Sequence, residues 1–327
     1  MIYTNCKLYK LQSKKVMKYL LAISDNNFFE QKYVASQIEP YIDKLRKPRL
    51  IEKPSEQLKA IQSKIKGLLY AIQVPDNVFS GIKGRSYSQN AQWHKGTKYV
   101  YKIDLTAFFP SITREKVYSF FKDDLKTSPD VAEFLTNITT VDIDLANMQN
   151  VEQINEFLSS KNVATRNHLI SGAPTSQILS YMVNHKMFDE IQSLANRNNV
   201  VMTIYVDDVT FSSENHISNN FKYKVHAIIK RYGYQISAHK VKSYSKCYPK
   251  LVTGAIIDKS GHLTVKNSLR YKIMSTLNEL KENPNNKIAR RKLRGLIIAA
   301  RQIEPNAYPS VHKLAFDKRY KVSQDHQ

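Results

Sequence analysis

Cysteine is nearly missing from this chain: 327 residues contain only Cys6 and Cys247. Two thiols so far apart offer no disulfide framework, and a reducing cytoplasm is the expected setting. Long apolar runs are missing too. The longest near the end, Leu296-Ile297-Ile298-Ala299-Ala300, falls far short of the roughly 20 residues a membrane helix needs. The opening Met1-Ile2-Tyr3-Thr4-Asn5-Cys6-Lys7 lacks the apolar core of a signal peptide. No membrane association, internal repeat or low-complexity tract is expected. Acids are scarce: 28 Asp and Glu face 50 Lys and Arg, a formal net charge of +22. Between Lys266 and Lys321 fourteen Lys/Arg stand against four acids, so one segment holds nearly half of that excess. Such a density suits a phosphate backbone. An anionic membrane is the alternative, but no long amphipathic helix with a Trp/Phe face accompanies the charge. What the chain does have is 42% apolar residues, enough for a large core and two or three subdomains.

Tyr205-Val206-Asp207-Asp208 is the feature that points to chemistry. Apolar, β-branched runs flank it, Val200–Ile204 and Val209–Phe211, which predicts two strands with the acidic pair at their tight connection. Taken alone, such a pair also suits an exposed turn. Buried, adjacent aspartates repel, and either one without a partner costs several kcal/mol or takes up a proton. A hard divalent cation such as Mg²⁺ resolves the conflict. Lys98–Leu105 alternates like a third strand and delivers Asp104 at its end, before Pro110 breaks the pattern and Thr113 caps a helix starting near Arg114. Three carboxylates at one sheet edge could hold two Mg²⁺ ions ~3.5–4 Å apart, the arrangement that stabilises both oxygens of an in-line phosphoryl displacement.

The remaining segments read as follows. A basic amphipathic helix is expected over 8–23 and a second helix over 57–72, capped by Ser55. Between them, 44–51 is basic and strand-like. Residues 77–97 read as an ordered loop, and the acid-rich 123–165 as a mostly helical insertion turned away from nucleic acid. Pro174 opens a helix that continues through Leu194. A further helix covers about 218–232 and ends at Gly233, short strands follow near 235–237 and 250–257, and the basic C-terminal segment is helical.

These blocks, in this order, resemble the reverse transcriptases, and among them the bacterial retron reverse transcriptases, from about Arg46 to Tyr320. Ile103-Asp104-Leu105-Thr106-Ala107-Phe108-Phe109-Pro110-Ser111-Ile112 looks like the family's first catalytic motif, and Gly172-Ala173-Pro174-Thr175-Ser176 is similar to its nucleotide-supporting loop and helix. Tyr205–Asp208 resembles the polymerase signature. Asn90-Ala91-Gln92-Trp93-His94 and Val252-Thr253-Gly254 are similar to two narrower retron elements. Each is weak alone; five in register are specific.

The resemblance implies an α+β right-hand polymerase: fingers with an N-terminal helix over 1–99, a palm with an antiparallel sheet flanked by helices over 100–262, and a small basic helical thumb over 263–327. It implies RNA-directed DNA synthesis from dNTPs with two Mg²⁺ ions held by Asp104, Asp207, Asp208 and the Leu105 carbonyl. Arg49 would grip the triphosphate, Gly172 and Ala173 would support the nucleotide, and Phe109 would exclude a 2′-hydroxyl, with Phe108 in the core. Lys240 would protonate the leaving pyrophosphate, with His239 as a rival. Asn90, His94, Val252, Thr253 and Gly254 would bind RNA. The density of like charge at Arg290, Arg291 and Arg294 suggests a phosphate track, and Tyr244, Tyr248, Tyr271, Tyr308 and Tyr320 could stack on bases. The implied partners are a structured non-coding RNA serving as template and primer, its DNA product, and an effector protein of an anti-phage system. Synthesis would start at an internal guanosine 2′-hydroxyl. Ser171 stands where the family often has Gln, and Gln177 where it usually has Pro. A group II intron-type enzyme and a catalytically idle RNA-binding scaffold are the rival readings; the acidic triplet opposes the scaffold.

Overall fold

The computed structural model describes residues 1–45, 47–146 and 151–317. Arg46, in the basic segment, and Tyr320, among the candidate stacking aromatics, lie outside them. In chain order the elements are α1 (Lys14–Leu21), α2 (Gln31–Ser36), β1 (Ile38–Asp43), β2 (Arg49–Pro54), α3 (Glu56–Leu69), α4 (Tyr87–Trp93), β3 (Tyr99–Asp104), α5 (Arg114–Ser119) and α6 (Pro129–Thr139). Then come β4 (Thr140–Asp142), α7 (Val151–Ser160), β5 (Asn167–Leu169), α8 (Ser176–Val183), α9 (His185–Arg197), β6 (Val201–Tyr205), β7 (Asp208–Ser213) and α10 (Asn219–Arg231). The chain closes with β8 (Lys242–Tyr244), β9 (Lys250–Val252), β10 (Ala255–Ile257), β11 (Leu263–Val265), α11 (Asn267–Glu282), α12 (Lys287–Arg301) and α13 (Pro309–Ala315). Mixed helices and small antiparallel sheets make the α+β class. No helix among the described residues is long and apolar enough to cross a membrane.

Two compact units divide the chain. One comprises Met1–Arg85, Lys102–Phe211 and Ile217–Lys242; the other comprises Ser86–Tyr101, Ser212–His216 and the chain from Ser243 onward. This division cuts across the fingers, palm and thumb expected from sequence, since α4 and β9–β11 group with the C-terminal helices.

In the first unit, β1 and β2 form an antiparallel hairpin that pairs Asp43 with Arg49 and Ile38 with Pro54. Ser55 caps α3 by accepting the Leu58 N–H at 3.2 Å, and Thr113 caps α5 through Lys116. Residues Val201–Tyr205 of β6, Asp208–Phe211 of β7 and Lys102–Asp104 of β3 lie side by side in that order. Helix α9 packs on β6 and α10, and Phe221 of α10 stands edge-on to Phe211 of β7 at 5.3 Å. Phe120, Phe121, Phe188, Phe211 and Phe221 are fully buried and dominate this core.

Residues 123–165, expected to be mostly helical, also contribute to the core. Helix α6 buries Val131, Phe134, Leu135 and Ile138, and α7 packs against β1 and β2. The acids sit on the solvent side of elements whose other side is core. The helix expected to continue from Pro174 through Leu194 is instead two, broken at Asn184. That side chain donates to Ser180 O at 2.9 Å and accepts the Tyr234 hydroxyl at 2.6 Å, drawing it out of the helical register.

In the second unit, β9, β10 and β11 form an antiparallel sheet packed with α11, α12 and α13 around Val252, Ile257, Ile273, Leu293 and Ile297. Helix α4 lies where a loop was expected. Its signal was present: Ser86 and Gln89 form a capping box, Ser86 Oγ accepting the Gln89 N–H and Gln89 Oε1 accepting the Ser86 N–H.

Gly81 brings the segment after α3 against the first turn of α8. Its φ is +71°, and a Cβ there would lie 2.8 Å from Ile178 N, inside the helix backbone. Gly81→Ala should lower unfolding stability by on the order of 3 kcal/mol, read from the urea midpoint, because neither the left-handed backbone nor the helix can yield cheaply.

Candidate active site

Strand β3 ends at Asp104 and the β6–β7 hairpin turns at Val206–Asp207. The two are tied at the backbone: Leu105 N–H donates to Asp207 O at 2.9 Å. On the other side of β3, Ser237 N–H donates to Asp104 O at 2.9 Å and Thr106 N–H to Gln235 O at 2.8 Å. The segment carrying Lys240 is thereby brought against Asp104. Two non-glycine residues near the cluster hold left-handed backbones, Ala107 (φ 44°) and Val206 (φ 57°). For a β-branched residue such a φ is an outlier that costs of order 1–3 kcal/mol, and strain of that kind gathers at functional sites.

Burial dominates the electrostatics of the acidic turn. Burial raises the Asp207 carboxyl from an ordinary 3.8 to about 6, with Asp104 and then Asp208 adding to the rise. Asp208 is also raised by burial, against the opposing pull of Lys102. Lysines engage the other two carboxylates. Lys240 Nζ lies 2.7 and 2.6 Å from the oxygens of Asp104, and Lys102 Nζ lies 2.9 Å from Asp208 Oδ2. With their oxygens turned to lysines, no three acidic, imidazole or thiol side chains among the described residues form a ready-made ligand cluster. Lys102 escaped the sequence reading, although its position two residues before Asp104 on a strand puts both side chains on one face.

Whether these residues suit a divalent cation is tested by Asp208 Oδ1. That atom is buried and has no hydrogen-bond partner, an arrangement that costs free energy unless something positive completes it. The donor set is all-oxygen and anionic, which fits a hard cation.

The other expected residues divide by burial. Phe108 is buried and packs edge-on against Tyr234 at 5.3 Å, whereas Phe109 is half-buried at the surface of the same turn. Arg49 is exposed at the start of β2. Gly172 is exposed, and a Cβ there would collide with the backbone carbonyl of Glu52. Ala173 is buried, and its carbonyl accepts from Ser176 Oγ at 3.0 Å. His239 is exposed, without the carboxylate contact that Lys240 makes.

The residues expected to bind RNA are placed as follows. Asn90 and His94 are fully buried. Asn90 Nδ2 donates to Thr253 Oγ1 at 3.1 Å, Thr253 Oγ1 donates to Tyr87 O at 2.8 Å, and His94 Nδ1 lies 2.7 Å from Ser212 Oγ. Val252 is buried in the second core, and Thr253–Gly254 form the positive-φ turn between β9 and β10. The two motifs bind each other; in this arrangement Asn90, His94 and Val252 have no surface to offer a ligand. Arg290 is likewise buried, its guanidinium donating to Leu314 O at 2.8 Å and Pro284 O at 2.9 Å, and Arg294 donates to Ala315 O at 2.6 Å. These arginines satisfy carbonyls at helix ends, as the last turn of a helix requires. Of the three, only Arg291 is exposed. Tyr248 and Tyr271 are exposed, while Tyr244 and Tyr308 pack on the second core.

A pH dependence follows from Asp207. With its folded value raised to about 6, the group's contribution to folding is fully present below its ordinary 3.8 and is lost as pH rises through 6. Removing the charge removes the penalty. Asp207→Asn, melted in EDTA, should be more stable than the parent at pH 8 by up to about 3 kcal/mol, with the gain vanishing near pH 4.

Comparison with known proteins accords with this geometry. The family model for reverse transcriptase (RNA-dependent DNA polymerase) matches residues 41–277. The chain is 30% identical over 205 residues to the retron Se72 reverse transcriptase of Salmonella heidelberg, covering 60% of this chain and 47% of that protein. It is 28% identical over 265 residues to the retron Ec83 reverse transcriptase of Escherichia coli, covering 79% of each. With the retron Mx65 reverse transcriptase of Myxococcus xanthus it shares 27% over 262 residues, 79% of this chain and 58% of that one. It thus spans about half the length of two of these relatives. The matched segment runs from β1 into α11 and contains Asp104, Asp207 and Asp208, and the chain belongs to the reverse transcriptase (RNA-dependent DNA polymerase) family.

Proposed function

We propose that this chain is the polymerase of a retron, copying part of a structured non-coding RNA into single-stranded DNA in the cytoplasm. The observation that carries the reading is the backbone bond between Leu105 and Asp207, which sets Asp104 beside the Asp207–Asp208 turn. The retron assignment is supported by the relatives described above and by the two paired motifs around Asn90 and Thr253.

In this reading Asp104, Asp207, Asp208 and the Leu105 carbonyl hold two Mg²⁺ ions. Bound there, the ions would neutralise the triphosphate and lower the pKa of the attacking hydroxyl. That hydroxyl oxygen bonds to the α-phosphorus of a dNTP while the bond to the β-phosphate oxygen breaks. Lys240 supplies a proton to the departing pyrophosphate, Arg49 grips the triphosphate by charge-assisted bonds, and Phe109 presents a flat ring where a 2′-hydroxyl would sit dehydrated. The primer is an internal guanosine 2′-hydroxyl of the same RNA, giving branched RNA–DNA, and the product complex restrains an effector protein in defence against phage.

Purified protein with its co-purified RNA, Mg²⁺ and labelled dNTPs should extend DNA. Asp207→Asn should reduce extension by 10³-fold or more, as an order of magnitude for losing a catalytic charge, while retaining the RNA. Normal extension by the variant overturns the reading. Arg291→Ala should lower the salt slope of RNA binding by about one. Arg290→Ala should instead act through stability.

A further inference from the structure

Glu52 of β2 and His168 of β5 are both completely buried. His168 Nε2–H donates to Glu52 Oε1 at 2.5 Å, and Glu52 Oε2 accepts the Ser171 N–H at 2.8 Å. Ser171 returns the contact: its Oγ accepts the Glu52 N–H at 3.0 Å and donates to Leu50 O at 3.0 Å. Strand β5 is itself held to the Phe109–Ile112 segment, Leu169 N–H donating to Ile112 O at 2.9 Å. The seam is closed sterically as well, since Gly172 has no room for a Cβ against the Glu52 carbonyl.

A buried acid and imidazole are a costly way to fill space, and an apolar pair of similar volume is often as stable or more so. What polar pairing adds is register, because each bond admits one alignment of the partners. Here the register joins three nucleotide-facing pieces. Leu50 and Glu52 lie in the strand that starts at Arg49, Ser171 immediately precedes Gly172–Ala173, and β5 is bonded to Ile112 at the end of the segment that follows Phe109.

We infer that Glu52, His168 and Ser171 are positioning residues forming a latch that fixes Arg49 relative to the Gly172–Ala173 loop, so that a nucleoside triphosphate meets one preformed site. The inference rests on the polymerase reading. It also accounts for Ser171 where relatives often carry Gln: the short hydroxyl is consumed by β2 and does not reach toward a nucleotide sugar. Preorganisation of this kind lowers the ordering cost at binding, so its loss shows mainly in KM.

The test uses the full chain with its co-purified RNA and titrates dNTP, reading KM and kcat separately beside the thermal midpoint. His168→Leu and Ser171→Ala should each raise the dNTP KM roughly 10-fold or more, with kcat changed about 3-fold or less. His168→Gln keeps an amide N–H for Glu52 and should restore most of the KM. If both disruptive variants fold and leave KM within about twofold of the parent, the latch is only structural and the inference fails. Should His168→Leu not fold, Ser171→Ala, which strands no buried charge, decides alone. Extension by the parent chain, lost in Asp207→Asn, separates failure of the latch from failure of the polymerase reading.

Discussion

Three carboxylates drawn to one corner of a sheet set the terms for the rest of this unit. Burial, and then the charge of Asp104, make ionising Asp207 costly, and its rise to about 6 records that cost. The fold answers with lysines from two directions, Lys102 from within β3 and Lys240 from the segment after α10. Even so, Asp208 Oδ1 remains buried without a partner. Backbone strain at Ala107 and Val206 gathers around the same turn.

The large positive charge is distributed less simply than its sum suggests. Some of it is internal. Arg290 and Arg294 turn inward to satisfy carbonyls at helix ends, and Lys116 is drawn over the Tyr234 ring at 3.9 Å with its Nζ donating to Tyr232 O at 2.7 Å. Burial pushes the Lys116 amine down to about 8. Side chains engaged in this way satisfy carbonyls that the helices leave open. Arg49 and Arg291, in contrast, are exposed.

Much of this was legible in the sequence, for identifiable reasons. The β6–β7 hairpin announced itself by β-branched runs on both sides of an acidic turn, and α3, α5 and α10 by Ser or Thr caps ahead of periodic apolar residues. Elements governed by tertiary contacts were harder. The break at Asn184 depends on a tyrosine fifty residues away. Acidity at 123–165 described only the outer faces of α6 and α7 and hid the buried ones. Arg290 and Arg294 look in sequence like any basic helical face, because a charge run does not tell which carbonyls lie within reach. Motif likeness alone did not show that Asn90 and His94 are buried, Asn90 bonded to Thr253 at the β9–β10 turn and His94 to Ser212 of β7.

The Val206 backbone carries one more implication. A left-handed φ at a β-branched residue makes the conformation, and not the side chain, the scarce commodity at that bend. Glycine and asparagine tolerate such a geometry with less penalty than valine does. Diversity at the second place of the acidic hairpin is then governed by local torsional tolerance, so rigidity of the turn can be tuned there without disturbing the aspartates beside it.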